Sequence, residues 1–449
     1  MIPVIALVGR PNVGKSTLFN ALTRSRDAIV HDQPGLTRDR LYGQVRRDGR
    51  VRALVVDTGG LGDDSEYGAL VDAQVEAVIA EADEILFLVD HDEGLNTRDE
   101  EIARKLRRSG KPVHVVVNKA EGIAGDLATS EFRRLGFERP WAISALRGDR
   151  VESMLEELLA PYGDDDTSQP ADDRIRVAIV GRPNVGKSTL VNALVGEQRV
   201  IVRDQPGTTR DSVSIPLDRD GRAFELVDTA GVRRRQKVTE TVEHFSVVRT
   251  IRAIERAHVC VLMLDARAEP GEQDAAIAGL IEGRGRSIVV VVNKWDNLDA
   301  YTRKQFLARF ERRFPFLPPH ERLLISALHG TAVGDVLPAV ARAFESATIR
   351  FATSDLNRRL QAAVEAQAPP MHAGHAIKLK FAHQDGSSPP SVTIYGNRVE
   401  HIPASYARYI ANYLQASYGL VGTRIRVRFA SGDNPYRHKS PRARAGRGR

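Results

Sequence analysis

The sequence predicts an α/β protein: two doubly wound modules in tandem, followed by a smaller α+β domain. Three observations carry this. Short β-branched runs alternate with longer amphipathic segments, the alternation repeats at a nearly constant offset, and its character changes after Phe351. Length agrees, since 449 residues exceed one ordinary core and suit about three domains.

In residues 1–160 the runs Val4 to Val8, Val51 to Val56, Ile85 to Val89 and Val113 to Val117 read as strands of a parallel sheet with helices on both faces. Residues 161–174 contain PYGDDDTSQPADD; five Asp, two Pro and no large aliphatic side chain predict a solvated linker. Residues 175–347 repeat the first module, with Arg176 to Val180, Ala223 to Val227, Val259 to Leu264 and Ile288 to Val292 as the matching strands. The offset is 172 residues from Gly9 to Gly181, 171 from Asp57 to Asp228, 175 from Asn118 to Asn293 and 182 from Ser144 to Ser326. Such a series marks a duplication with small loop insertions in the second copy.

Residues 350–430 read as helix Asp355 to Gln367, strands Ala376 to Phe381 and Ser391 to Tyr395, helix Ala404 to Tyr418 and strand Arg424 to Phe429. In residues 431–449, Arg437, Lys439, Arg442, Arg444, Arg447 and Arg449 face a single acid, Asp433, so this tail supplies +5 of the chain's net +7. A polyanion is the natural partner for such a segment.

Hydrophobic content of 42% and charged content of 27% are those of a folded globular protein. No apolar run approaches the ~18 residues that span a bilayer, and MIPVIALVGR has none of the parts of a signal peptide. A cytoplasmic protein without membrane contact is expected. The single cysteine, Cys260, lies in the run VCVLMLD and reads as a buried strand residue, which excludes an intramolecular disulfide.

The string GRPNVGKST occurs at Gly9 to Thr17 and again at Gly181 to Thr189, each time after an apolar strand. Its GxxxxGKS spacing is a phosphate-binding loop: Gly9 and Gly14, Gly181 and Gly186 let backbone N–H groups curl around an anionic chain. Lys15 and Lys187 then reach the β- and γ-phosphates, and Ser16 and Ser188 hold Mg²⁺ through a hydroxyl. Thr17 and Thr189 close the loops, and a helix beginning at each lysine aims its positive dipole end at the phosphates.

The base is decided by Asn293-Lys294-Trp295-Asp296, placed at the carboxyl edge of the sheet where open α/β folds bind ligands. A carboxylate at Asp296 accepts both N1–H and N2–H of guanine, and adenine has no such adjacent donor pair. GTP and GDP are therefore the expected ligands. Ser144-Ala145 and Ser326-Ala327 resemble the short loop that supports the guanine ring, and Trp295 occupies the free position of its motif. The first copy reads Asn118-Lys119-Ala120-Glu121, in which Glu121 keeps two acceptor oxygens on a longer stem. Asp57-Thr58-Gly59-Gly60 and Asp228-Thr229-Ala230-Gly231 fit the second Mg²⁺ carboxylate followed by a glycine that senses the γ-phosphate. Upstream, Thr37 and Thr209 lie in candidate switch loops, where they would close onto Mg²⁺.

The chain resembles the EngA/Der family of tandem-domain GTPases over essentially its whole length. The resemblance rests on the doubled GRPNVGKST, the PGLTRD and PGTTRD loops, the run DTAGVRRRQKVTETVEHFSVVRTIRAIERA, and the PPMHAGHAIKLKF and DNPYR segments. It implies a Mg²⁺-dependent GTPase acting in large ribosomal subunit assembly, with the subunit precursor and rRNA as partners and a KH-like third domain. A monomer is expected off the ribosome. The rival reading is a GTPase coupled to tRNA modification.

Many small GTPases carry a water-positioning Gln where this chain has Leu61 and Val232. Unassisted turnover is then expected on the order of 10⁻⁴ to 10⁻² s⁻¹. Asn12 and Asn184 resemble the asparagine that ligates K⁺ in potassium-activated GTPases, where the ion stands in for an arginine finger. Arg233-Arg234-Arg235 and Lys237, present in the second module alone, read either as a solvated loop or as a nucleotide-dependent RNA or interdomain contact. A KH domain clamps single strands with a GxxG loop; the stretch from Phe351 to Phe429 is read as having none, so a fold without the ordinary KH clamp is expected. Tyr406, Tyr409 and Tyr413 at helical spacing read as core or interface rather than a stacking platform.

Overall fold

The computed structural model describes residues 3–23, 41–47, 50–58, 76, 78–162, 174–196, 200–202, 214–228, 247–296, 298–372 and 374–431. It divides into two compact units, Met1–Asp172 and Asp173–Arg449. Thr37, Gly60, Leu61, Thr209, Gly231, Val232, the Arg233 to Lys237 cluster, the linker past Tyr162 and the tail past Ser431 lie outside the described residues.

The first unit runs β1 (Val4–Gly9), α1 (Lys15–Thr23), β2 (Leu41–Arg47), β3 (Arg50–Asp57), β4 (Glu84–Asp90), α2 (Thr97–Arg108), β5 (Val113–Asn118), α3 (Gly125–Thr129), β6 (Trp141–Ala142) and α4 (Val151–Leu159). Its sheet has the order β2-β3-β1-β4-β5-β6. β1 and β4 are buried at every position, as continuous apolar runs covered on both faces must be. β3, β1, β4, β5 and β6 are parallel, but β2 runs antiparallel to β3. The four strands expected from the sequence are parallel, and β2 adds an antiparallel edge to them. Leu41–Arg47 ends in two arginines, and such a half-polar strand is stable only where one side faces water.

The second unit opens with the same plan: β7 (Ile175–Val180), α5 (Lys187–Val195), β8 (Val200–Val202), β9 (Ile215–Arg219), β10 (Arg222–Leu226), α6 (Val247–Arg256), β11 (Val259–Asp265), α7 (Glu272–Gly283), β12 (Ser287–Asn293), α8 (Ala300–Arg313), β13 (Arg322–Leu324) and α9 (Val336–Thr348). Here the order is β13-β12-β11-β7-β10-β9-β8; β9 and β8 add two antiparallel strands on that side, and β8 is the edge. Pro216 lies within β9, opposite Glu225 of β10.

The third domain consists of α10 (Thr353–Ala366), β14 (Lys378–Gly386), β15 (Ser391–Asn397), α11 (Ala404–Tyr418) and β16 (Arg426–Ser431). β14 pairs antiparallel and β16 parallel to β15, and both helices pack on one face of this sheet. β14 begins later than expected and continues through the polar AHQDG, carried by its ladder to β15. The tyrosine stripe is core: Tyr406 is buried, and Tyr406 and Tyr409 donate their hydroxyls to the carbonyls of Gln367 and Ala363 at 2.7 and 2.8 Å.

A GxxG string is present after all, at Gly419-Leu420-Val421-Gly422 between α11 and β16. It is committed to packing. Leu420 is buried, and Gly422 accepts from Ile288 N–H at 2.7 Å while donating to Pro319 O at 2.6 Å. A Cβ on Gly422 would lie 2.8 Å from both Ile288 O and the Ala343 side chain, at a φ of 72° that favours glycine in any case. The loop thus extends the β12 ladder below the end of β13.

Candidate nucleotide-binding sites

Each phosphate loop connects the end of its first strand to the helix that begins at its lysine. Gly14 and Gly186 adopt φ of 93° and 103°, and a Cβ on either would sit 2.2 or 2.3 Å from the side-chain amide of Asn118 or Asn293. No other residue fits there. Asn12 and Asn184 are also left-handed, at φ 66° and 62°, a conformation asparagine tolerates better than most residues.

The Lys15 ammonium donates to the carbonyls of Gly9 and Arg10 at 3.0 and 2.6 Å, and Lys187 to those of Gly181 and Arg182 at 3.1 and 2.7 Å. Burial pushes Lys15 down to about 8, although the Asp57 carboxylate works in the other direction. Ser16 donates to Asp57 Oδ2 at 2.8 Å, and Thr58 Oγ1 pins the end of β3 to Leu7 O at 2.7 Å. Two hard oxygens therefore converge beside the loop, a donor pair suited to Mg²⁺. Asp228 ends the matching segment with φ 56°; burial pushes its carboxyl up, against the pull of Arg249, Arg256 and Arg252.

Asn118 and Asn293 act as braces. Each side-chain amide donates to the carbonyl of Val13 or Val185, at 2.9 and 2.8 Å, and accepts the N–H of Ala145 or Ala327 at 2.9 Å. Phosphate loop and base loop are thereby joined through one side chain. Lys119 and Lys294, at φ 62° and 64°, pair with Asp90 and Asp265 at 2.5 Å, and Lys294 also reaches Asn184 O at 2.8 Å.

The two carboxylates expected at the base, Glu121 and Asp296, differ in their partners. Glu121 accepts the Ser144 hydroxyl at 2.5 Å, and this bond holds its carboxyl below the usual range. Asp296 instead lies 3.3 Å from His329 Nε2, while Ser326 Oγ accepts His329 N–H at 3.4 Å. Trp295 packs edge-on against Phe306 under the Arg303 guanidinium, consistent with its place as the motif's free position.

A further set of residues escaped the sequence reading. Arg10 Nε donates to Asp99 Oδ1 at 2.8 Å and its Nη1 to Glu93 at 2.8 Å; Arg182 Nε lies 2.9 Å from Asp274 Oδ1. Asp99 and Asp274 are fully buried N-terminal residues of α2 and α7, and each also accepts a backbone N–H, from Asn96 and Gly271. Burial disfavours the Arg10 charge, but its bonds to Asp99 and Glu93 outweigh that and hold it above its ordinary value. The recurrence of an arginine at the same place in both nonapeptides was the available signal.

Comparison with known proteins places this geometry. The model of the 50S ribosome-binding GTPase family matches residues 4–119 and 176–294, and that of the KH-domain-like C-terminal domain of EngA bacterial GTPase enzymes matches residues 350–429. GTPase Der of Thioalkalivibrio sulfidiphilus is 50% identical over 443 residues, 98% of this chain and 95% of that protein. GTPase Der of Nitrosospira multiformis is 50% identical over 444 residues, with the same coverage of each. Among solved structures, Era in complex with MgGDPNP and nucleotides 1506–1542 of 16S ribosomal RNA is similar at 21% identity and a TM-score of 0.32, covering 69% of this chain and 98% of that one.

Proposed function

Because the chain belongs to the GTPase Der family, and is therefore a GTP-hydrolysing enzyme, we propose that it is a cytoplasmic assembly factor for the large ribosomal subunit. It engages precursor rRNA in one nucleotide state and leaves in another. The observation that carries this reading is the doubled framework: two phosphate loops, each braced to its own base loop by Asn118 or Asn293, on one chain with a KH-like domain. The proposed boundaries remain 1–160, 175–347 and 350–430, with 161–174 as linker and 431–449 as tail.

Within each module we assign Lys15 and Lys187 to the β- and γ-phosphates, with Gly9, Gly14, Thr17 and Gly181, Gly186, Thr189 completing the cradle. Ser16, Thr37 and Asp57, and Ser188, Thr209 and Asp228, would hold Mg²⁺, which when bound neutralises charge on the phosphate oxygens. Gly60 and Gly231 sense the γ-phosphate. Asn12 and Asn184, already turned into the left-handed region, are assigned to K⁺. Glu121 and Asp296 read guanine; Lys119, Lys294, Ser144 and Ser326 shape its pocket. The tRNA-modification alternative finds no support, and Cys260 is no nucleophile: it is fully buried, with its thiol pushed up to about 12 by burial.

Cosedimentation with ribosomal particles in GTP, GDP and a non-hydrolysable analogue tests the proposal. Large-subunit precursors should retain the protein in one state and release it in another; equal recovery in all three would overturn it. Deleting residues 432–449 should flatten the salt dependence, because the slope of log K against log salt is about −0.7 per contacted phosphate, or roughly four units of slope for all six tail cations.

A further inference from the structure

At the amino ends of β4, β5 and β6 the first unit has an open cleft of about 490 Å³. A seven-residue strand separates this end of β4 from Asp90 beside the base loop, about 20 Å at 3.3 Å per residue. One wall is a stack of two flat rings, His114 and Trp141, with centroids 5.1 Å apart and planes 15° from parallel. Beside it lie a part-buried polar set centred on Glu84 and, separately, an exposed indole–carboxylate bond. His114 Nε2 donates to Glu84 Oε2 at 2.7 Å, the Tyr162 hydroxyl donates to Glu84 Oε1 at 2.6 Å, and Trp141 Nε1 donates to Glu157 Oε2 at 3.1 Å.

The second module provides the internal control. Counted back from the paired ends Asp90/Asn118 and Asp265/Asn293, Glu84 corresponds to Val259 and His114 to Val289. Counted from Ser144 and Ser326, Trp141, Glu157 and Tyr162 correspond to Leu323, Ala339 and Phe344. Five apolar positions of one fold are thus polar or amphipathic in the other. Half-buried polar networks cost more than apolar packing of the same shape, so their confinement to one module calls for a gain other than stability.

We propose that this cleft is a binding site, peculiar to the first module, for the guanidinium of an arginine side chain on a basic partner peptide. Its size lies within the ~300–1,000 Å³ range of ligand pockets. Carboxylates exceed cations around it: Glu84, Glu138 and Glu157 stand against Arg150, while Arg139 is 3.3 Å from Asp126. Arg150 is already committed to the carbonyls of Ile123 and Ala120 at 3.3 and 2.9 Å. An aromatic wall beside carboxylates favours a planar guanidinium over an ammonium, because the former stacks and bonds bidentately. The site does not depend on the nucleotide roles assigned above.

The chain has two tryptophans, so a 5-fluorotryptophan-labelled full-length protein gives two ¹⁹F resonances, assigned with Trp141→Phe. A capped Gly-Arg-Gly peptide should shift the Trp141 resonance saturably and leave that of Trp295 in place. The matching lysine peptide should bind about tenfold more weakly. Glu157→Gln with Glu138→Gln, both at exposed positions, should abolish the shift while the unfolding midpoint is kept. A Trp141 signal indifferent to the peptide, or an equal response to a citrulline peptide, would overturn the proposal. Methylguanidinium binding as tightly as the peptide would assign the site to a free small molecule and overturn the peptide source.

Discussion

Arg10 and Asp99 form an ion pair across 89 positions of sequence, with Nε and Oδ1 2.8 Å apart and the carboxylate fully buried. The pair fastens the phosphate loop to the head of α2, and the Arg10 carbonyl in turn holds Lys15. Arg182 and Asp274 repeat the arrangement at 2.9 Å.

Asp99→Ala should therefore leave a buried guanidinium without its main partner, a change that costs about 3–5 kcal/mol in such pairs. Urea unfolding should show the loss in the first module's transition and none in the second. A loss under about 1 kcal/mol would mean that Glu93 alone suffices to hold Arg10.

Lys15 gives a pH signature. Its folded value of about 8 lies below the ordinary 10.5 because of burial, so the folded chain sheds this proton earlier than the unfolded one. The group thus weakens the fold below about pH 8, and this is relieved as pH rises toward 10.5. Phosphates beside the ammonium should pull the proton back. Calorimetry near pH 9 in buffers of different ionisation enthalpy should show proton uptake on GDP binding at the first site, lost in Lys15→Arg, whose charge never titrates there. Buffer-independent heats would contradict the phosphate assignment.

Glu121 and Asp296 invite a reciprocal exchange. Glu121→Asp should tighten GDP at the first site, and Asp296→Glu should loosen it at the second, each by about tenfold, the scale of one charge-assisted bond. Titration calorimetry resolves the two sites. Unchanged constants in both variants would show that carboxylate reach does not set guanine affinity here.

For K⁺, GTP turnover should rise several-fold when it replaces Na⁺, with Asn184→Ala removing the second module's share. Equal rates in both salts would eliminate the assignment of Asn12 and Asn184.

Much of this was legible in the sequence because local patterns dictate it. The glycine spacing of the loops is enforced by contacts such as that of Gly14 with Asn118, and buried parallel strands must be continuously apolar. What was not legible is non-local or ambiguous. β2 and β9 mix charges or proline with apolar residues, a pattern that fits an edge strand or a loop equally well. Asp99 reads as an ordinary acidic residue in the first turn of a helix; only the folded chain brings Arg10 to it. Gly419 and Gly422 carry the spacing of a nucleic-acid clamp, but their surroundings turn that loop into a packing element.

The bond from Ile288 N–H to Gly422 O also orders events during synthesis. The first unit is complete once residue 172 has left the ribosome, so it can fold while the remainder is still being made. The second nucleotide module cannot finish in the same way. The lower end of β12, the strand that delivers Asn293, waits for a glycine translated 134 residues after Ile288. A nascent chain stalled before residue 422 would carry one finished nucleotide module and one whose Ile288 N–H lacks its partner, so the second site should mature only after residue 422 has emerged.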